Sequence, residues 1–236
     1  MFPSPNGQAR HELTDALLAL ADLPDDSPAL PEQLSTIVRL SATVVDPVDF
    51  ASVTVFAVHG YRTEAASSAA AEAVDLAQYA EDGGPCLAAL QGGETVAVPD
   101  VGGVVVWPGF RDVAWRNGVR ASLSVPLFAG SGAPIAALNL YARDAAAMQL
   151  LIQRVESCYH ARPSQVLPRM DAGSEQLLAG IAGALVTRDL VQRATGVLMD
   201  RDGIAAGPAY RRLVEAAESG GSLTDAASAI LRQYAS

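Results

Sequence analysis

The sequence contains no lysine, and all 16 of its basic side chains are arginine. Cysteine is almost as rare, because only Cys86 and Cys158 occur and they lie far apart in the chain. Their spacing matches neither a zinc site nor a redox motif, and two cysteines do not form a disulfide framework. The pattern excludes a small disulfide-stapled domain and predicts two free thiols in a reducing compartment.

Motifs of catalysis and phosphate binding are also missing. The three histidines, His11, His59 and His160, fall at a predicted terminal, turn and loop position, and none has a partner at a spacing suited to metal binding or nucleophilic chemistry. No GxxxxGK or GxGxxG run is present. A reactive centre at Cys86 is disfavoured because no base or second cysteine is placed beside it. These absences predict that the chain is not an enzyme, and they identify no cofactor.

Long apolar runs are absent as well. No stretch approaches the roughly 18 apolar residues that a membrane-spanning helix needs, and the chain does not start with a basic segment followed by an apolar one. We therefore expect a soluble, cytoplasmic protein with no membrane partner. Hydrophobic residues make up 50% of the chain, which is enough for a packed core without disulfides or metals.

The charge balance is acidic, with a net charge of −10. Up to Met170 there are 10 arginines against 18 acids, and after it 6 arginines against 8 acids, so the C-terminal part carries −2. A nucleic-acid-binding surface is usually basic, because it neutralises phosphates. Local clustering can supply such a surface here, since five of the arginines fall within 25 residues: Arg188, Arg193, Arg201, Arg211 and Arg212.

Hydrophobic periodicity predicts an α+β fold for the first part of the chain. Alternating β-branched and aromatic residues predict strands at 50–58, 62–67, 94–101, 121–128 and 135–143. Helical spacing predicts helices at 11–23, 31–45, 69–90 with an interruption at 82–86, 110–117 and 145–159. Hairpins early and late around a helical middle indicate an antiparallel sheet flanked by helices. Residues 1–7 are predicted to be a disordered start, and Pro163 and Pro168 to lie in a loop.

The C-terminal residues predict a long helix followed by two short ones. Residues at alternating spacings of three and four within 174–199 form one face of a helix: Leu177, Ile181, Ala184, Arg188, Val191, Thr195 and Leu198. Arg188 and Thr195 are the two polar members of this seam. Asp200, Asp202 and Gly203 predict a turn after this helix. Helices at 208–217 and 223–232 follow, the second with Ser222 or Thr224 able to cap it.

These C-terminal motifs resemble the ANTAR domain, a small three-helix RNA-binding module. The resemblance is carried by Arg188, "VQRATGVLM" (191–199), Ala209, Tyr210, Leu213 and "LTDAASAIL" (223–231). It implies binding to paired stem-loops in nascent messenger RNA, which prevents a terminator hairpin from forming. The RNA-binding positions that it implies are Arg188, Arg193, Ala194, Gly196, Tyr210 and Arg211. The lysine usual in the family is replaced by Thr195.

The preceding part resembles the GAF domain, a small-molecule sensor. The resemblance is carried by "GPCLAAL" (84–90), "VAVPDV" (96–101), the "WPGF" segment, "GVRASLSVPL" (118–127) and "IAALNLYA" (135–142). It implies a ligand pocket between sheet and helices, with four candidate neighbours of a small-molecule ligand: Cys86, Trp107, Phe110 and Asn139. It does not imply which ligand, because the motifs for cyclic nucleotides and for bilin attachment are absent.

Together these patterns predict four segments. They are an N-terminal helix with a disordered start (1–30), a GAF-like sensor (31–145), an insertion or linker (146–172), and a connecting helix with an ANTAR-like domain (173–236). The expected function is a homodimeric, signal-responsive transcription regulator whose sensor controls an RNA-binding antiterminator. The alternative is that the C-terminal bundle has lost RNA binding and serves protein interaction or dimerisation, which the missing lysine and the acidic balance favour.

Overall fold

The computed structural model describes residues 11–159 and 168–234 and contains a five-stranded sheet in which every neighbouring pair of strands is antiparallel. The predicted start at residues 1–7, His160 and Pro163 lie outside the described residues. The strands are β1 (Phe50–Ala57), β2 (Gly60–Ala66), β3 (Val96–Val98), β4 (Ala121–Phe128) and β5 (Pro134–Ala142), in the spatial order β2-β1-β5-β4-β3.

Six helices belong to this part, which we call the sheet domain. They are α1 (Glu12–Ala21), α2 (Leu30–Val44), α3 (Ala69–Ala80), α4 (Pro85–Gly92), α5 (Pro108–Arg116) and α6 (Ala145–Tyr159). The predicted antiparallel sheet with helices on its faces is therefore confirmed. The strand predicted at 94–101 is wrong in length, because only 96–98 pair with β4. Pro99 has no N–H to donate, and Asp100 turns the chain into a short 3₁₀ segment, Val101–Gly103.

The two faces of the sheet pack against different helices. On one face, Leu138 and Leu140 of β5 pack with Leu34 of α2, Met148 of α6 and Leu177 in one apolar core. On the opposite face, Tyr141 packs with residues from α3 and α5 in a smaller apolar cluster: Ala71, Val74, Phe110 and Ala114. The alternation along β5 therefore directs successive side chains into two separate interiors.

A 31-residue helix, α7 (Ala172–Asp202), joins the sheet domain to the C-terminal bundle. Asp171 caps its first turn by accepting a hydrogen bond from the Ser174 backbone N–H at 2.8 Å. The prediction that the helix ends before Asp200 is wrong, because Asp200 and Asp202 are still helical. Gly203, with φ of 62°, ends it in the left-handed conformation that glycine tolerates.

The bundle consists of the second half of α7 with α8 (Ala206–Gly220) and α9 (Leu223–Tyr234). Its core contains apolar residues from all three helices: Val191, Ala194, Leu198, Ala209, Leu213, Leu223 and Ala227. Ser222 caps α9 by accepting from the Asp225 backbone N–H at 3.0 Å. Thr224, the other predicted cap, instead donates to a carboxylate in the sheet domain. The predicted long helix followed by a small helical bundle is confirmed.

Candidate functional site

Polar side chains line the face of the sheet that α3 and α4 cover. They occupy alternate positions on three neighbouring strands, so they point to the same side: Ser52 and Thr54 on β1, Ser122 and Ser124 on β4, and Asn139 and Tyr141 on β5. Each is at most 1% exposed. Because buried polar groups are costly unless they are hydrogen-bonded, this face is a candidate site rather than an ordinary core.

Asp75 of α3 lies at the centre of this polar cluster and is fully buried. Its Oδ1 accepts hydrogen bonds from the Tyr141 hydroxyl at 2.6 Å and from the Ser52 hydroxyl at 3.0 Å. Its Oδ2 accepts from the Thr63 hydroxyl at 2.9 Å. The Asn139 amide also reaches Oδ1, at 3.4 Å, and accepts from the Ser124 hydroxyl on its other side. All four side chains that donate to Asp75 are neutral.

The ionisation of Asp75 is strongly affected by its position. Burial raises its pKa to about 6, and the hydrogen bonds, led by that from Tyr141, oppose the rise without cancelling it. Burial and the nearby Asp75 carboxylate together raise the pKa of the Tyr141 hydroxyl well above its usual range. The cluster therefore contains one group that changes charge near neutral pH, surrounded by hydroxyls that stay protonated.

A second layer of polar groups connects the cluster to α4. The side-chain Oε1 of Gln78 accepts from the Cys86 backbone N–H at 3.0 Å. The Tyr79 hydroxyl lies 2.9 Å from the hydroxyls of both Thr54 and Thr63. Burial, followed by the Asp75 charge, raises the pKa of the Cys86 thiol above its usual range, so this thiol stays protonated and unreactive.

The four predicted ligand-pocket residues all lie on this side of the sheet domain, in two groups. Asn139 belongs to the polar cluster, and Cys86 adjoins it through Gln78. Phe110 and Trp107 belong to the apolar cluster of α3 and α5, which meets the polar one at Tyr141. The ring of Tyr141 packs in the apolar cluster, while its hydroxyl binds Asp75.

Two surface grooves lie away from this cluster. One of ≈ 630 Å³ runs between α2 and the edge of the sheet, beside Arg39 and Phe50. The other, of ≈ 670 Å³, lies on the outer side of α5 beside Arg111 and Trp115. The side chains of the polar cluster hydrogen-bond mainly to one another, so in this conformation the protein's own groups fill the site.

Within the described ranges 11–159 and 168–234, no three potential ligands are grouped so that they would hold a metal ion. In the same ranges, no helix combines the length and the apolar character that crossing a bilayer requires.

The six predicted RNA-binding residues occupy three different environments. Arg193, Gly196 and Arg211 are exposed on the C-terminal bundle. Ala194 is fully buried in the bundle core, where it packs with Val191 and Leu198. Arg188 and Tyr210 face the sheet domain and are half-buried there. The structure therefore brings three of the six to the free surface.

Of the cluster around Asp75, the sequence predicted only Asn139, while Asp75 and its other strand partners were missed. Alternation of polar and apolar residues in strands normally indicates a solvent-facing side, yet here helices cover that side. A signal was present in α3, because Asp75 and Gln78 are spaced with Ala71 and Val74 along its buried face. A carboxylate at a core-facing helix position, opposite polar strand positions, indicates a buried polar site.

The chain therefore has two parts. One is the sheet domain, built around the buried polar cluster, and the other is the C-terminal helical bundle. The family model for the GAF domain matches residues 29–153, more than half of the sequence, and the chain belongs to the GAF domain family. The ANTAR domain model matches residues 179–235. No curated protein matches the chain.

Similar solved structures include a domain of a protein described as a two-component sensor histidine kinase from Sinorhizobium meliloti. It is 18% identical over 71% of this chain and 93% of its own, with a TM-score of 0.42. The GAF domain region of a protein described as a membrane protein from Geobacter sulfurreducens is 14% identical, over 74% of this chain and 98% of its own, with a TM-score of 0.38. At these TM-scores neither likeness identifies a function for this chain.

Proposed function

We propose that this chain is a signal-responsive transcription regulator in which the GAF domain controls RNA binding by the ANTAR bundle. The RNA would be paired stem-loops in nascent transcripts, and binding would prevent formation of a terminator hairpin. The predicted division into a sensor at 31–145 and an output unit at 173–236 is part of this proposal. The signal enters at the Asp75 cluster, which a small polar ligand or a change of protonation would rearrange.

Gly196 is the observation that most supports RNA contact. It lies in the interior of α7, where glycine costs roughly 1 kcal/mol relative to alanine. A Cβ atom at this position would meet nothing within 4 Å, so packing inside the chain does not require glycine. A partner that approaches the backbone from outside would require it, and the exposed Arg193 lies one turn earlier on the same face.

Arg193, one turn before Gly196, is available for phosphate. The guanidinium of Arg193 is paired with Asp189 at 3.6 Å, and both side chains are about two-thirds exposed, at 65% and 69%. Such surface pairs contribute only ~0–1 kcal/mol, so a phosphate can replace the carboxylate at little cost. Arginine can bind phosphate through two parallel hydrogen bonds, which offsets the missing lysine at Thr195.

A filter-binding titration of the full chain with a two-stem-loop RNA, at several salt concentrations, tests this proposal. We expect affinity to fall steeply as salt rises, and Arg193→Ala to reduce the slope of log affinity against log salt by roughly 0.7–0.9, the share of one phosphate contact. Gly196→Ala should raise the free energy of unfolding by roughly 1 kcal/mol while lowering RNA affinity, because the added methyl blocks the approach.

Arg39→Ala is the matched control, since it removes one exposed arginine from α2 and leaves the bundle unchanged. It should bind RNA as the wild type does. Equal losses in Arg39→Ala and Arg193→Ala would mean that net charge alone matters, and the proposed RNA surface would then be wrong.

A second candidate function is protein interaction through the bundle without RNA. The exposed side of α7 favours it, because Ala179, Ala182 and Val186 form an uncovered small-residue and apolar stripe beside the GAF domain. Absence of RNA binding at low salt, together with self-association of the chain, would support this candidate over the first.

A further inference from the structure

The loop between α1 and α2 is acidic and contacts the ANTAR bundle directly. The Oδ1 atom of Asp22 accepts two hydrogen bonds from Thr224, one from the backbone N–H at 2.8 Å and one from the hydroxyl at 2.7 Å. Thr224 is the second residue of α9, so the carboxylate lies at the positive end of that helix. A residue of the N-terminal region therefore holds the N-terminus of the last helix.

Asp25 makes a second contact from the same loop. Its backbone N–H donates to the Tyr210 hydroxyl at 3.4 Å, while its Oδ1 accepts from the Ser131 backbone N–H at 2.9 Å. Burial and the charge of Asp25 raise the pKa of Tyr210 to about 12, so this hydroxyl stays protonated. Asp25 thus links α8 of the bundle to the loop between β4 and β5.

The β4–β5 loop completes the contact. Its Gly132 carbonyl accepts from Arg188 Nε at 2.8 Å, and the Arg188 guanidinium lies 4.0 Å from the centre of the Phe128 ring. A Cβ atom at Gly130 would collide with the Tyr210 hydroxyl and with Leu223. Glycine at this position therefore lets the sheet domain and the bundle approach closely.

We infer that these contacts form an autoinhibitory latch, made by Asp22, Asp25 and the β4–β5 loop on one side and by Arg188, Tyr210 and Thr224 on the other. The inference rests on the proposed RNA-binding function. The latch covers Arg188 and Tyr210, two of the six predicted RNA-binding residues, and places carboxylates where RNA phosphates would approach. RNA binding at full affinity then requires the bundle to separate from the GAF domain.

The latch is weak enough for a signal to open it. It consists of a few hydrogen bonds, one cation–π contact and the close packing at Gly130. Removing one hydrogen bond changes an equilibrium by roughly two- to tenfold. Apparent RNA affinity scales with the fraction of open molecules. Loss of the Asp22 contact should therefore increase RNA affinity by a similar factor.

The test compares RNA affinities of the full-length wild type, Asp22→Ala and Thr224→Val. Both variants remove part of the same contact, one from each side, so each should bind the two-stem-loop RNA roughly two- to tenfold more tightly. Their effects should not add in the double variant. Hydrogen exchange of the β4–β5 loop and of the start of α9 should accelerate in both, whereas circular dichroism should show unchanged helix content.

Asp15→Ala is the matched control, because it removes one exposed carboxylate from α1 without touching the bundle. If Asp22→Ala binds RNA no more tightly than Asp15→Ala, the latch is refuted and RNA binding stands. If neither wild type nor any variant binds RNA at low salt, the proposed function itself is refuted. The two failures are therefore distinguishable.

Discussion

Asp75 is a carboxylate held entirely by neutral donors inside the protein. Tyr141, Ser52, Thr63 and Asn139 satisfy its oxygens, yet none supplies a positive charge. The ordinary pKa of 3.8 rises to about 6 in the folded state, so the fold binds this proton more tightly than the unfolded chain does. One ionised side chain therefore opposes folding at neutral pH, a cost that is typical of functional positions.

Protonated Asp75 stabilises the folded state, and this stabilisation is lost as pH rises. Below about pH 4 the carboxyl is protonated in both states, and its contribution is fully favourable. Between about pH 4 and 6 the unfolded chain ionises first, so the free energy of unfolding falls by about 3 kcal/mol. We expect Asp75→Asn to lack this fall and to exceed the wild type in stability above pH 6, because the amide keeps an acceptor for Tyr141.

Urea unfolding at pH values from 4 to 8 measures this difference between wild type and Asp75→Asn. Glu94→Gln removes an exposed carboxylate, and its free energy of unfolding plotted against pH should run parallel to that of the wild type. Parallel curves for Asp75→Asn and wild type would show that Asp75 ionises alike in the folded and unfolded chains.

At the scale of elements, α7 presents two different seams. The inner seam includes the buried Leu177, Ile181, Val191 and Leu198. The outer seam alternates by four and three residues and is exposed along the helix: Glu175, Ala179, Ala182, Val186, Asp189, Arg193, Gly196 and Asp200. Its small and apolar part, Ala179, Ala182 and Val186, suits pairing with the same part of a second chain and would leave Arg193 and Gly196 free for RNA. Two bundles held together in this way would suit two stem-loops.

Val186 provides the test of pairing through the outer seam. It is 70% exposed, so Val186→Glu should leave the fold of one chain intact while preventing a dimer from forming. Val58→Glu is the control, since Val58 is 92% exposed in the turn between β1 and β2. We expect light scattering to detect dimers of the wild type and of Val58→Glu, and monomers of Val186→Glu. A monomeric wild type, with and without RNA, would contradict the prediction of a homodimer.

Periodicity predicted the elements well where one local pattern decided them. β4 at 121–128 and α6 at 145–159 have the predicted bounds, because alternation and helical spacing are local properties. Placement of the site was harder, since the burial of Asp75 depends on helices that cover a polar strand face. Arg188 shows the same limit: it occupies a seam position by spacing, yet its guanidinium contacts Gly132 and Phe128.

At the scale of the whole molecule, one hairpin joins the buried cluster to the latch. Ser124 and Asn139 pair across β4 and β5, hydrogen-bond to each other at 2.9 Å, and connect to Asp75. The same two strands end in the loop whose Gly132 carbonyl holds Arg188. The hairpin thus connects Asp75 to the latch although the two sites do not touch, and it is the route by which we expect a change at Asp75 to act.

A thermodynamic cycle on RNA affinity tests this coupling. Asp75→Asn mimics the protonated cluster, which we expect to hold the hairpin in the docked arrangement and to weaken RNA binding roughly two- to fivefold, within the usual range of coupling between sites. In the Asp22→Ala background the latch is already open, so the same substitution should have no effect. If Asp75→Asn changes affinity equally in both backgrounds, the cluster acts on RNA binding independently of the latch. A wild-type affinity that rises from pH 5 to 7.5, with no such rise in Asp75→Asn, would identify the carboxylate as the group that shifts the population.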